Sequence, residues 1–146
     1  MSIEILQITD VVARLKANVP GLVAVEGAAE LGSAMKQGVR QMPTAFVMPL
    51  AEDARTSTSS TQVITQKIIS HFAVVCAVKD VSDQHGEKAI AESLRNIRLA
   101  SMTALVGWAP NAAFDLCQFE GGSLFHVANS AVFWRDKFAT THTNES

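Results

Sequence analysis

Two short, strongly apolar runs dominate the hydrophobic pattern of the chain. Residues 45–49 and 72–78 are apolar throughout and do not alternate with polar residues. Continuous apolar strands are typical of sheets that are buried on both faces. The pattern therefore predicts two core strands, one over residues 44–50 and one from about residue 62 to residue 79.

Apolar residues at helical spacing predict three helices. The first lies in ITDVVARLKANVPG, where Val12, Leu15 and Val19 fall on one face and a Pro-Gly pair ends the helix. The second lies in AAELGSAMKQG, with Gly38 as the residue that ends it. The third, from about residue 87 to residue 107, is the longest, and its apolar residues recur every three or four positions.

The order of elements predicts the fold class. From a short strand at residues 22–27 onward, the order is β-α-β-β-α-β, which is that of ferredoxin-like split β-α-β folds. We expect a mixed α/β protein, in the α+β class, that forms a ferredoxin-like split β-α-β sandwich. Its sheet is antiparallel or mixed and is packed by helices on one face. An extra N-terminal helix and an extra C-terminal strand complete it. Gly121 and Gly122 predict a hairpin turn, because glycine accepts the positive φ angles of such turns.

A polar segment, residues 51–62, separates the two core strands and is far longer than a tight turn requires. The strand after it begins with TQVITQKI, whose mixed character predicts that this strand extends beyond the core. Its backbone groups and side chains then need partners, and a neighbouring subunit is the natural source. We predict one domain, residues 1–146, with 51–62 as a protruding β-hairpin loop and 140–146 as a frayed tail. The candidate interface residues lie on or beside this loop: Glu52, Asp53, Arg55, Thr58, Gln62 and Thr65.

The amino-acid composition limits the kinds of partner that the protein is expected to bind. Hydrophobic residues make up 48% of the 146 residues, charged residues 18%, and the net charge is −2. Without a Lys/Arg cluster, the chain is not expected to bind nucleic acid or an anionic membrane surface. The N-terminal MSIEILQITD lacks the pattern of a secretory signal, and the apolar runs are far shorter than a membrane span. We expect a protein folded in a reducing cytoplasm, with Cys76 and Cys117 as buried free thiols.

No pattern in the sequence predicts catalysis, a cofactor or a metal site. The four histidines are His71, His85, His126 and His142. None has metal-ligand spacing to another, and neither cysteine belongs to a CxxC pair. Nucleophile, P-loop and Rossmann glycine motifs are absent from the sequence. Asp80, Asp83 and Glu87 suit a solvated turn and the start of a helix better than paired acid–base catalysis.

Four segments together resemble a known family. PTAFVMPLAE, FAVVCAV, LVGWAPN and FEGGSLFHVANSAVFWRDKFAT are similar to segments of the phage tail terminators, the small proteins that cap the tail tube of long-tailed bacteriophages. The resemblance covers roughly residues 8–142, and the last segment is its most specific part. It implies an α/β structural protein of the virion tail that is made in the host cytoplasm.

The resemblance also implies partners. Such terminators form a ring, typically of six copies, that stops polymerisation of the tail tube. The ring also offers a surface to head-completion or connector proteins. The long loop would then reach the next subunit or the tube.

Two other interpretations remain open at the level of sequence. One is a small ferredoxin-like enzyme or ligand-binding module, since that fold supports many functions. The other is a different neck or minor tail protein of similar fold. A concave pocket with convergent polar groups would favour the first, whereas flat complementary surfaces would favour a ring protein.

Overall fold

Helices and strands alternate along most of the chain. The computed structural model describes residues 2–57, 62–79, 86–128 and 130–146, and does not describe the side chains of 86–91. Within these ranges the elements are α1 (Ile8–Asn18), β1 (Ala24–Glu26), α2 (Ala28–Gln37), β2 (Thr44–Ala54), β3 (Thr65–Lys79), α3 (Gly86–Leu105), β4 (Gln118–Ala128) and β5 (Ala131–Glu145). All three predicted helices are confirmed, and Gly38 ends α2 with a φ of 93°.

The five strands form one mixed sheet in the order β1-β2-β3-β5-β4. β1 runs parallel to β2, and all other neighbours are antiparallel. The predicted α+β class with a mixed sheet is therefore confirmed. The ferredoxin-like strand order is not, because β1 and β2 are direct neighbours and no strand lies between them. β5 pairs along the whole of β3 and leaves β1 only the far side of β2.

Helices pack on both faces of the sheet. On one face, Leu15 of α1 and Leu105 of α3 join a cluster with Phe72 of β3. On the other face, Leu31 of α2 packs with Phe46 of β2. The expectation of helices on one face only is wrong, whereas the expectation of two-sided burial, drawn from the continuous apolar strands, is confirmed. The core includes the buried residues Phe46, Val47, Phe72, Val74, Val75, Ile97 and Leu105, and Leu94 packs partly buried against it.

β2, β3 and β5 continue past this core into an extension that we call the arm. It consists of residues 51–54 of β2, 65–70 of β3 and 140–145 of β5. The expectation of a frayed tail at 140–146 is wrong, because Thr140–Glu145 pairs in register with Thr65–Ser70. The loop boundary also moves, since residues 51–54 belong to β2 and only 55–64 connect the two strands.

Candidate assembly interface

The arm brings most of the predicted interface residues together. Glu52 and Asp53 are exposed near the end of β2, and Thr65 begins β3. Arg55 follows β2 directly, and its backbone N–H donates to the carbonyl of Lys67 at 2.9 Å. Gln62 is exposed, and Thr58 lies outside the described residues.

The backbone of the arm finds its partners within the chain. β3 lies between β2 and β5, so that residues 65–70 have a paired strand on one side, and residues 68–70 have one on both. The sequence expectation that β3 needs a neighbouring subunit for its backbone is therefore wrong. What the arm offers to another protein is its side chains and the outer side of β2.

Both ends of the chain close the arm. Ser2 forms an antiparallel bridge with Glu145, and the backbone N–H of Glu4 donates to the side chain of Asn144 at 2.9 Å. His142 is buried, and its Nε2 lies 2.8 Å from the carbonyl oxygen of Glu4. The C-terminal residues therefore form a structural strand of the arm.

His71 links the arm to β4. Its Nε2 lies 2.8 Å from Asp53 Oδ2, and its Nδ1 lies 2.6 Å from Glu120 Oε1. The hydrogen bond to Glu120 raises the pKa of His71 above its ordinary value, with a smaller contribution from Asp53, although burial opposes the shift. Because each ring nitrogen faces its own carboxylate, the protonated ring donates two hydrogen bonds and the group does not converge on a metal. No sequence signal predicts this contact, since Glu120 lies far along the chain.

A second ionic group lies beside β4 and is nearly buried. Arg98 of α3 binds Asp136 of β5 through both carboxylate oxygens, with nitrogen–oxygen distances of 2.8 to 3.2 Å. The indole N–H of Trp134 donates to the same carboxylate at 2.9 Å, and the Arg98 guanidinium lies 4.6 Å from the Trp134 ring centroid. Because this carboxylate is 2% exposed, the pair fastens α3 to the sheet.

The paired glycines do not form the predicted hairpin turn: Gly122 makes room for this ionic group, and Gly121 lies at an irregularity of β4. β4 extends from Gln118 to Ala128 through both glycines, and its pairing with β5 continues up to Ala128 and Ala131. Gly121 has a φ of 137° at a register shift in β4. A Cβ on Gly122 would collide with the Asp136 carboxylate and would lie 2.8 Å from Trp134 Nε1. Both glycines are therefore required within a strand, for a bulge and for a close approach.

The two cysteines have a structural explanation, whereas Asp80, Asp83, His85 and the side chain of Glu87 lie outside the described part of the chain. Burial raises the pKa of Cys76 to about 12 and that of Cys117 to about 11, so both thiols stay protonated at neutral pH. No group of three or more His, Cys, Asp or Glu side chains within the described ranges is arranged to hold a metal ion. An open groove of about 800 Å³ lies beside α2 and the start of β2, and no histidine or cysteine is among its described lining residues.

Comparison with known proteins gives the family. The model of the phage tail terminator proteins matches residues 1–146. The chain belongs to the phage tail terminator family. It is thus a structural protein of a bacteriophage tail and a component of the virion. The family favours a structural role over the ferredoxin-like enzyme or ligand-binding module.

The fold is also similar to a solved structure. A chain in the virion of a native gene transfer agent particle superposes with a TM-score of 0.56 at 14% sequence identity, and the match covers 92% of each chain. At this identity the likeness concerns the fold alone. No curated protein matches this terminator in sequence. Among the described helices, none is long and apolar enough to cross a membrane.

Proposed function

We propose that this protein caps the end of a phage tail tube as a ring, stops tube polymerisation and presents the surface that joins the tail to the head. The observation that carries the proposal is the family match over the whole chain. Its partners are further copies of itself, in a ring of six, together with the tail tube protein and a head-completion or connector protein. It folds in the host cytoplasm before it enters the tail.

The arm supports an assembly role. It projects exposed polar residues, among them Glu52 and Asp53, on strands whose backbone is fixed inside the subunit. A fixed arm holds the backbone of these residues in one arrangement, so that little backbone conformational entropy is lost when a partner binds. Glu52, Asp53, Arg55, Thr58, Gln62 and Thr65 are the proposed contacts with a neighbouring subunit or with the tube.

Electron microscopy of tails assembled with and without the protein tests this function. We expect tails of uniform length when it is present and tails of uncontrolled length when it is absent. The charge-reversed variant E52R/R55E should behave like the absent protein, because it alters the arm without touching the core. K36E is the matched control, since Lys36 is exposed on α2 away from the arm.

The outcomes separate this role from that of another tail protein. If tails assembled without the protein have normal length but fail to join heads, the protein is a neck protein, which is the alternative left open by the sequence. Tails of normal length that join heads without the protein would contradict the capping role altogether.

A further inference from the structure

The sheet has two open edges, which we call its open sides. At one end, β4 pairs only with β5, so its outer side has no partner strand in the described part of the chain. At the other end, β1 covers only Thr44–Phe46 of β2. The outer side of residues 47–54 is therefore unpaired within the same described ranges. Open strand edges are templates for pairing with another chain.

The β4 edge is only partly protected against association, by two register shifts and by one acidic residue, Glu120, which already binds His71. Leu124 and Val127 are 56% and 53% exposed, and Phe119 is 39% exposed. β4 contains no proline and no lysine, the residues by which edge strands commonly avoid association. A long edge with exposed apolar side chains indicates a surface that is covered in the assembled state.

Positive charge lies next to this edge. Arg135 and Lys137 of β5 stand opposite Ser123 and Gly121 of β4. The Arg135 guanidinium reaches β4, where it lies 5.3 Å from the centroid of the Phe125 ring. Neither basic residue forms an ion pair with any described residue, and the buried Nε of Arg135 has no hydrogen-bond partner there.

The open side of β2 has the opposite charge. Residues 47–54 contain Glu52 and Asp53 and no basic residue. Asp53 keeps a side-chain exposure of 69% although it binds His71. Its position opposite Ile69, two residues from His71, places it on the sheet face that also carries Arg135 and Lys137. Glu120, the acidic residue of β4, is bound by His71. The basic residues beside β4 and the acidic residues of the β2 edge are thus complementary in charge.

Strand directions are compatible as well. β2 and β4 run in opposite senses, because three antiparallel steps separate them in the sheet. A second copy in the same orientation would therefore add its β2 antiparallel to β4. Pro49 has no N–H to donate, which directs the pairing to the part of β2 beyond it, residues 51–54.

We propose that the outer side of β4 in one copy pairs with residues 51–54 of β2 in the next copy, so that the sheet continues from subunit to subunit. Such a contact joins two different surfaces and generates a ring when the rotation closes. The proposal rests on the proposed function, for which it names the two faces of the ring contact.

Cross-linking between single-cysteine variants tests the contact. Ala54→Cys lies on the open side of β2, and Leu124→Cys lies on β4; both positions are exposed. Cys76 and Cys117 are at most 1% exposed, so a short bis-maleimide reagent should not reach them in the folded protein. We expect a linked dimer when the two variants are mixed and none from either variant alone. The double variant A54C/L124C should give a ladder of linked subunits.

L116C mixed with A54C is the matched control, because Leu116 is also an exposed leucine but precedes β4. The measurement is made with the purified protein and with tails capped by the variants. Capped tails without the A54C–L124C link would overturn the contact and leave the capping function standing. Self-linking of L124C alone would also overturn it, since it would show a two-fold β4–β4 contact. A link formed by variants that fail to control tail length would support the contact and count against capping.

Discussion

β3 passes through two different environments, and the contrast explains how this fold is held together. Residues 72–78 are at most 2% exposed and lie between α2 on one side and α1 and α3 on the other. In the arm, Lys67 is exposed, and Thr65 and Ile69 are half-buried. The core half is stabilised chiefly by apolar burial, whereas the arm depends on strand pairing and on hydrogen bonds from both chain ends.

The difference shows how a small domain extends a surface beyond its helices. An isolated two-stranded hairpin is at best marginally stable in water. Here β5 supplies a third strand, and Ser2 bridges its end. The arm is thereby fixed in place, while its outer side chains remain available to partners.

A charge in the core should have the largest effect. Val75 is fully buried, so Val75→Asp leaves an unpaired charge that costs several kcal/mol, against a total stability of about 5–15 kcal/mol. We expect an unfolded protein by circular dichroism. Lys67→Asp lies on the same strand and the same sheet face in the arm and should stay folded. Equal stability of the two variants would remove the distinction between core and arm.

A methyl group beside the buried ion pair should have the next largest effect. Gly122→Ala pushes against the Asp136 carboxylate. We expect a loss of about 1–3 kcal/mol from overpacking, and about 3–5 kcal/mol if the pair with Arg98 separates. Gly32→Ala is the control, because a Cβ there meets nothing within 4 Å and should stabilise α2 by about 0.5–1 kcal/mol. Denaturant unfolding measures the free energy of unfolding of both variants. A G122A variant as stable as the wild type would show that the Arg98–Asp136 ion pair shifts to accommodate the methyl group.

Removal of residues 141–146 should affect the arm more than the core. The deletion removes the third strand and the contacts with Ser2 and Glu4. We expect hydrogen exchange to accelerate at the amides of 65–70, while those of 72–78 stay protected as an internal control. Equal acceleration in both segments would show that core and arm unfold as one unit.

The smallest effect should come from His71 and depend on pH. Its folded-state pKa lies above the ordinary 6.5, so its stabilising contribution is complete below that value. It is lost as pH rises through the folded-state pKa. We expect wild type to lose more thermal stability than His71→Gln over this rise. His126→Gln, a sheet histidine that packs on Phe133, is the control. A wild-type profile of thermal stability against pH identical to that of H71Q would show that the contact of His71 with Asp53 and Glu120 does not stabilise the fold.

The sequence by itself determined the three helices, the two core strands and their two-sided burial. These features depend on local spacing and on runs of apolar residues such as 72–78, and such local patterns can be recognised without knowledge of the tertiary structure. It also located the arm, because a polar segment as long as 51–62 is unusual between two core strands. The similarity of four segments to tail terminators gave the family.

Only the tertiary structure decided which strands are neighbours and what lies at their edges. The polar tail at 140–146 carries no local strand signal, and it becomes a strand because Thr65–Ser70 offers it an edge. Gly122 reads locally as a turn, but it is needed where Asp136 and Trp134 approach from β5. His71 meets Glu120 only because β4 folds back beside β5. These contacts join residues that are distant in sequence, so their positions follow from the packing of the whole sheet and not from any local pattern.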